Sequence, residues 1–148
     1  MKALIQRVKS GSVTIEDAVT GKIGLGYVVL FGVREGDLVE DARKLAQKTV
    51  NLRIFADAND RMNLSIEEIN GEILVISQFT LYADIRKGNR PSFIHAGDPE
   101  LANNLYEEYV AALRRELGDN RIQTGQFGAS MEVKIINDGP VTIELTTD

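Results

Sequence analysis

Ser77-Gln78-Phe79-Thr80-Leu81 places three hydrogen-bonding side chains at the end of an apolar run, Ile73-Leu74-Val75-Ile76, where a strand with only a structural task would carry Val or Ile. Polar groups in that position can bind or orient a ligand. The usual equipment of hydrolytic enzymes is scarce around them. His95 is the only histidine. It lies just ahead of a helix start, and no Gly-x-Ser-x-Gly elbow accompanies it, so a Ser-His-Asp arrangement is not expected. The absence of cysteine excludes thiolate nucleophiles, disulfides and Cys-bearing metal sites. The carboxylates fall mostly on helix faces and in turns, where solvated charge explains them. Gly24-Leu25-Gly26 lacks the third glycine and the acidic follow-up of a dinucleotide fingerprint, and no Walker A motif occurs. Neither a cofactor nor a metal is called for.

Two further segments expose backbone. Gly125-Gln126-Phe127-Gly128-Ala129-Ser130-Met131 has two glycines that permit close approach to a ligand or a second chain, or simply form a loop. Asn137-Asp138-Gly139-Pro140 reads as a hairpin turn, except that Pro140 removes a donor and an X-Pro bond can be cis. Arg86, Lys87 and Arg90 form the one basic cluster free of acids, either an RNA contact or a solvated turn.

The elements that hold these segments follow from periodicity. Ala3 to Val8 and Ser12 to Ile15 alternate as two strands with a bend at Ser10-Gly11, and Thr20-Gly21-Lys22 is expected to turn into a third. That third run, Ile23 to Val33, is apolar enough to be a central strand buried on both faces. Asp37 and Glu40 resemble a capping box ahead of a helix over about 38–50. A short strand near Leu52 to Phe55, turn chemistry over Ala56 to Asp60, and a strand opened by Asn70-Gly71 follow. The clearest helix has Asp98 as N-cap and Pro99 at its first position, and ends before Gly118; Leu101, Leu105, Tyr109, Leu113 and Leu117 form its buried stripe. Met131 to Ile136 and Val141 to Leu145 close the chain as two strands. The pattern predicts one α+β domain of curled, barrel-like antiparallel or mixed sheets with helices on one side.

At 148 residues, 43% of them hydrophobic and 26% charged, the chain suits a single domain. No stretch approaches a membrane span, and the N-terminal residues lack the apolar core of a secretory signal, so a cytoplasmic location is expected. A net charge of −5 argues against broad, sequence-indifferent nucleic-acid binding; any RNA contact must be local.

Together, Ser77-Gln78-Phe79-Thr80-Leu81 and Asn137-Asp138-Gly139-Pro140-Val141-Thr142 resemble the signatures of the D-aminoacyl-tRNA deacylase family. Arg7 in Gln6-Arg7-Val8, the loop Arg86 to Phe93, and Gly125 to Met131 match as well, so the resemblance spans the chain. It implies an editing hydrolase that cleaves the ester of D-aminoacyl-tRNA and of mischarged glycyl-tRNA. It implies a homodimer in which Gly139-Pro140 of one subunit, with a cis bond, enters the other subunit's site as a chiral gate against L-residues. Arg7 would brace that gate. Ser77, Gln78, Phe79 and Thr80 would form the catalytic segment, with backbone N–H groups around Gln78 to Thr80 holding the carbonyl oxygen and the tRNA's 2′-hydroxyl assisting. Thr80 is either a nucleophile or a positioning group; with no base beside it, positioning is favoured. Arg86, Lys87 and Arg90 would neutralise acceptor-stem phosphates, or else buttress the dimer. Rival readings are a deacylase with a trans Gly-Pro bond acting on L-alanyl-tRNA, a noncatalytic module that holds tRNA ends, and a purely structural domain.

Overall fold

A computed structural model describes all 148 residues. Its axis is β1 (Lys2–Ile15), which carries partners on both edges. One edge pairs antiparallel with β3 (Gly26–Gly32) through Lys2 to Val8 and with β2 (Ala18–Ile23) through Gly11 to Ile15. The other pairs antiparallel with β8 (Glu132–Thr146) along nearly its whole length. From β3 the sheet continues in parallel to β6 (Glu72–Ser77) and β7 (Ile122–Thr124). The two ends of this path, β2 and β7, touch, so the mixed sheet nearly closes into a barrel. A separate two-stranded ribbon joins β4 (Arg53–Ala56) to β5 (Met62–Ser65).

Both helices, α1 (Val39–Asn51) and α2 (Pro99–Leu117), contact each other and bury their apolar stripes in the larger core, with Ala3, Ile5, Tyr27 and Phe31 of the sheet. A smaller core of Val8, Val13, Ile23, Val28, Leu74 and Ile76 fills the inside of the curl. The α+β architecture predicted from the patterning is therefore the one observed. A one-residue bulge lets β1 serve both cores: Val8 pairs with Asn137 and Ser10 with Ile136, leaving Lys9 extra. If Lys9 took a regular place in the ladder, Val13 would share a face with Ala3 and Ile5; with Lys9 bulged out, Val13 joins Val8. The expected bend at Ser10-Gly11 is this bulge, and the strand runs on through it.

Several local expectations differ from the structure. Thr20-Gly21-Lys22 lies inside β2, and the turn before it is Glu16-Asp17, both at positive φ (48° and 63°). Two such residues twist with the strands they join, as a type I′ hairpin requires. The apolar run from Ile23 breaks at Gly24-Leu25, where Gly24 N–H donates to Glu72 Oε1 (2.9 Å) and Leu25 O accepts from Glu72 N–H (2.9 Å). A Cβ on Gly26 would overlap the Glu72 backbone, so β3 can begin there only with glycine. The helix cap is shifted by one residue: Leu38 N–H donates to Asp41 Oδ2 (2.8 Å), while Asp37 accepts from Arg34 N–H (2.7 Å) and pairs with the Met1 ammonium (2.8 Å). Asp37 thus ties the loop rather than the helix.

The last two expected strands are one. Met131 to Ile136 and Val141 to Leu145 flank no hairpin, because both halves pair with the same strand, β1. Between Gln6↔Thr142 and Val8↔Asn137, four residues of β8 oppose a single residue of β1, so Asp138-Gly139-Pro140-Val141 is looped out of the ladder.

Candidate active site

β6 pairs with β3 as far as Phe31↔Ser77, and Gln78 N–H still donates to Phe31 O (2.7 Å). There the strand stops, and Phe79–Tyr82 coil into a 3-10 turn. The turn's first bond runs from Leu81 N–H to Gln78 O (3.3 Å), so the N–H groups of Phe79 and Thr80 stand ahead of it, as the opening donors of a helical turn do. Gln78 Nε2 donates to Thr80 Oγ1. An amide that donates cannot also take the hydroxyl's proton, so Thr80 has no base there.

Beside this turn opens a cleft of about 710 Å³. Phe31, Val33 and Ile76 come from the ends of two parallel strands, Ala102 and Tyr106 from α2, and Ser77, Gln78 and Phe79 from the turn. Phe127, Gly128, Ala129 and Met131 close another side, so the polar turn and the glycine-bearing segment noted in the sequence meet here. Glycine is needed at 128, where φ is +78°. The lining is mostly apolar and contains no histidine, lysine or arginine. Its single carboxylate, Asp98, caps α2 by accepting from Leu101 N–H (3.0 Å). Tyr106 donates its hydroxyl to Val75 O (2.9 Å), and burial pushes its phenol up to about 12. It is a neutral, fixed donor. No group of three or more His, Asp or Glu side chains is arranged to hold a metal ion.

Other residues singled out in the sequence lie outside this lining. Thr80 is exposed at its rim. Gly139 and Pro140 are exposed on their loop-out, joined by a cis peptide bond, with Gly139 at φ +124°. The Arg7 side chain is 12% exposed and reaches this loop from below: Nε donates to Asp138 O (3.1 Å) and Nη1 to Ile54 O (2.6 Å), with the Asp138 carboxylate 3.5 Å away. One guanidinium thus fastens the loop-out to the β4–β5 ribbon.

The basic cluster differs from its description as free of acids. A bridge between Asp84 and Ser92 folds the loop into a hairpin, and Arg86 turns back onto Asp84 through Nε (2.9 Å) and Nη2 (2.6 Å). That side-chain pairing, followed by the Arg86 N–H bond, holds the Asp84 carboxyl well below the usual carboxylate range. His95 Nε2 lies 3.5 Å from the same carboxylate. Lys87 and Arg90, exposed at the tip, take part in no ion pair.

Tyr106 and Ala102 were missed as site residues because they lie one position off the Leu101–Leu105–Tyr109 stripe. A small residue followed four positions later by an aromatic was the available signal, since it leaves a hollow beside a ring. Phe93, also in the lining, follows the basic loop with no residue type that would mark it.

The family model described as D-Tyr-tRNA(Tyr) deacylase matches residues 4–146. The chain belongs to the D-Tyr-tRNA(Tyr) deacylase family. It is 54% identical over 143 residues to a D-aminoacyl-tRNA deacylase of Flavobacterium psychrophilum, covering 97% of this chain and 95% of the relative. A D-aminoacyl-tRNA deacylase of Thermosipho africanus is 51% identical over 145 residues, with 98% and 96% covered. Among solved structures, the c-Myc DNA Unwinding Element Binding Protein superposes with a TM-score of 0.95 at 40% identity, covering 100% of this chain and 99% of that one. A probable eukaryotic D-amino acid tRNA deacylase shares the fold at a TM-score of 0.83 and 18% identity, with 97% of each chain covered.

Proposed function

We propose that the chain hydrolyses the ester of D-aminoacyl-tRNA, and of glycine mischarged on tRNA, releasing free tRNA and the D-amino acid or glycine. Family membership supports the bond that is cleaved. The observation that carries the mechanism is a cleft bordered by the leading N–H groups of a 3-10 turn and lined by no general base. An aminoacyl ester is already activated, so placing its carbonyl oxygen against the Phe79 and Thr80 N–H groups stabilises the tetrahedral oxyanion where negative charge develops. Gln78 N–H is committed to Phe31 O, which narrows the donors to those two. The tRNA's own 2′-hydroxyl assists attack, and Thr80 positions the substrate. Ser77 and Gln78 hold the ester end.

Selectivity for hand comes from a second copy of the chain. β8 pairs only with β1, which leaves a long unpaired edge carrying half-buried Val133, Ile135, Val141, Ile143 and Leu145. Such an edge supports a homodimer. In that dimer Gly139-Pro140 of one copy enters the cleft of the other, with Arg7 holding its base. An L-residue drives its side chain into the main-chain oxygens there; a D-residue turns away from them and glycine has no side chain. A tRNA substrate supports a cytoplasmic location. No helix is long and apolar enough to cross a membrane.

Deacylation of D-Tyr-, Gly- and L-Tyr-tRNA by the purified chain, run side by side, tests the reading. The expected result is turnover of the first two and none of the third. Binding without turnover leaves a module that holds tRNA ends, and preferential hydrolysis of L-Ala-tRNA replaces the gate with one that admits small L-residues.

A further inference from the structure

Arg7, Arg114 and Arg121 are the half-buried arginines. Arg7 donates to Asp138 O and Ile54 O, and Arg121 to Gly71 O (2.9 Å) and Ile66 O (3.2 Å), so each of these guanidinium groups is met by main-chain oxygens as it leaves water. Arg114 is the exception. Its Nε is wholly buried and bonds nothing, and its side chain takes part in no ion pair. A buried donor left without an acceptor destabilises a fold, and this one has no acceptor within the chain. A cation in the last turn of α2 suits the helix dipole, but Arg115 fills that role while exposed and paired with Glu108 (3.1 Å).

The surroundings indicate which acceptor fits. Burial holds the Tyr106 phenol high, and Arg114 and Thr124 are the groups that pull against it, so the three side chains share the seam where α2 packs on β7. Tyr106 lines the cleft on one side of that seam, and the chain leaving β7 becomes the cleft wall at Phe127. Arg114 stands two turns further along α2, about 12 Å along the axis, and outside the lining. A guanidinium beside a hydroxyl, with no carboxylate in contact, matches a phosphate, whose oxygens take two parallel N–H donors at once. We propose that Arg114, with Thr124, forms an anion site outside the cleft that takes one backbone phosphate of the RNA strand upstream of its esterified end. The identity of the RNA rests on the deacylase reading above. Arg114 is then a positioning residue: a phosphate contact is blind to base and to amino acid, so it places the strand without selecting it.

The test uses the full-length protein and an RNA acceptor-stem hairpin ending in CCA. Each linkage of the unpaired end and of the first stem turn is replaced singly by a neutral 2′-deoxy methylphosphonate and compared with the charged 2′-deoxy linkage. Binding to wild type, Arg114→Met and Arg114→Lys is measured across salt, together with thermal unfolding and deacylation of D-Tyr-tRNA. At least one linkage should stand out, where neutralisation weakens wild-type binding about tenfold and leaves Arg114→Met unaffected. Arg114→Met should bind the intact hairpin about tenfold more weakly, with the slope of log affinity against log salt reduced by roughly 0.7 to 0.9. KM for D-Tyr-tRNA should rise by a similar factor, with kcat within about twofold. Methionine keeps the apolar stem and removes the unmet donor, so Tm should equal or exceed that of wild type, whereas loss of a structural arginine would lower it. Arg114→Lys should keep the salt slope and recover part of the affinity, as a point charge does in place of a fork. The inference is overturned if no linkage distinguishes wild type from Arg114→Met, or if the methionine variant loses affinity and Tm together at an unchanged salt slope. Should wild type hydrolyse no aminoacyl-tRNA yet show the coupling between Arg114 and one linkage, the deacylase reading fails and this contact stands; turnover without the coupling does the reverse.

Discussion

Thr80 has a hydroxyl and nothing beside it to take the proton, since its one side-chain partner is the donating amide of Gln78. Thr80→Ala should therefore retain substantial deacylation of D-Tyr-tRNA; loss of nearly all turnover with binding intact would make it the nucleophile after all. Tyr106 invites the opposite mistake. A tyrosine in a cleft resembles an acid catalyst, yet its hydroxyl is fixed on Val75 O and burial keeps it protonated far above neutral pH. Tyr106→Phe should leave kcat unchanged and lower stability by about 1 kcal/mol, read from urea unfolding. Arg7 is the residue whose loss should be felt most widely. Its bonds to Asp138 O and Ile54 O are charge-assisted, and removing them in Arg7→Ala should cost about 2–3 kcal/mol and raise the rate on L-Tyr-tRNA relative to D-Tyr-tRNA.

Among the elements, α2 was legible to the residue, because Asp98, Pro99 and Gly118 are chemical punctuation that acts locally. The polar tail of β6 was legible for the same reason. What escaped was whatever depends on a distant partner. Nothing near Asn137 says that residues on either side pair with one strand, so a loop-out read as a turn. Nothing near Gly24 announces Glu72, whose backbone decides where β3 begins. The cleft was half visible: its polar turn and glycine loop stood out, whereas Ala102, Tyr106 and Phe93 became site residues only through packing. The loop-out also gives an element-scale prediction. A Cβ at Gly139 would lie 2.9 Å from Val141 Cγ2 and 3.1 Å from Arg7 Nη2, at a φ that disfavours side chains, so Gly139→Ala should displace the loop. The ladder on either side of it should hold, and the expected outcome is a lower D-to-L rate ratio with little change in far-ultraviolet circular dichroism.

For the whole molecule, the proposed contact of one basic loop with RNA predicts a shallow, assignable salt dependence in a chain that is otherwise acidic. Changing Lys87 and Arg90 together to Ala should reduce the slope of log affinity against log salt by roughly 1.4 to 1.8. The fold also carries a consequence for synthesis. Lys2 pairs with Thr146, so one flank of β1 waits for residues 146 − 2 = 144 positions further along the chain to be made. At about 5–20 residues per second, that flank stays bare for roughly 7–29 s on the ribosome, an apolar ribbon with main-chain donors and acceptors on offer. Yield in cells should accordingly depend on nascent-chain chaperones more steeply than the stability of the finished protein would suggest.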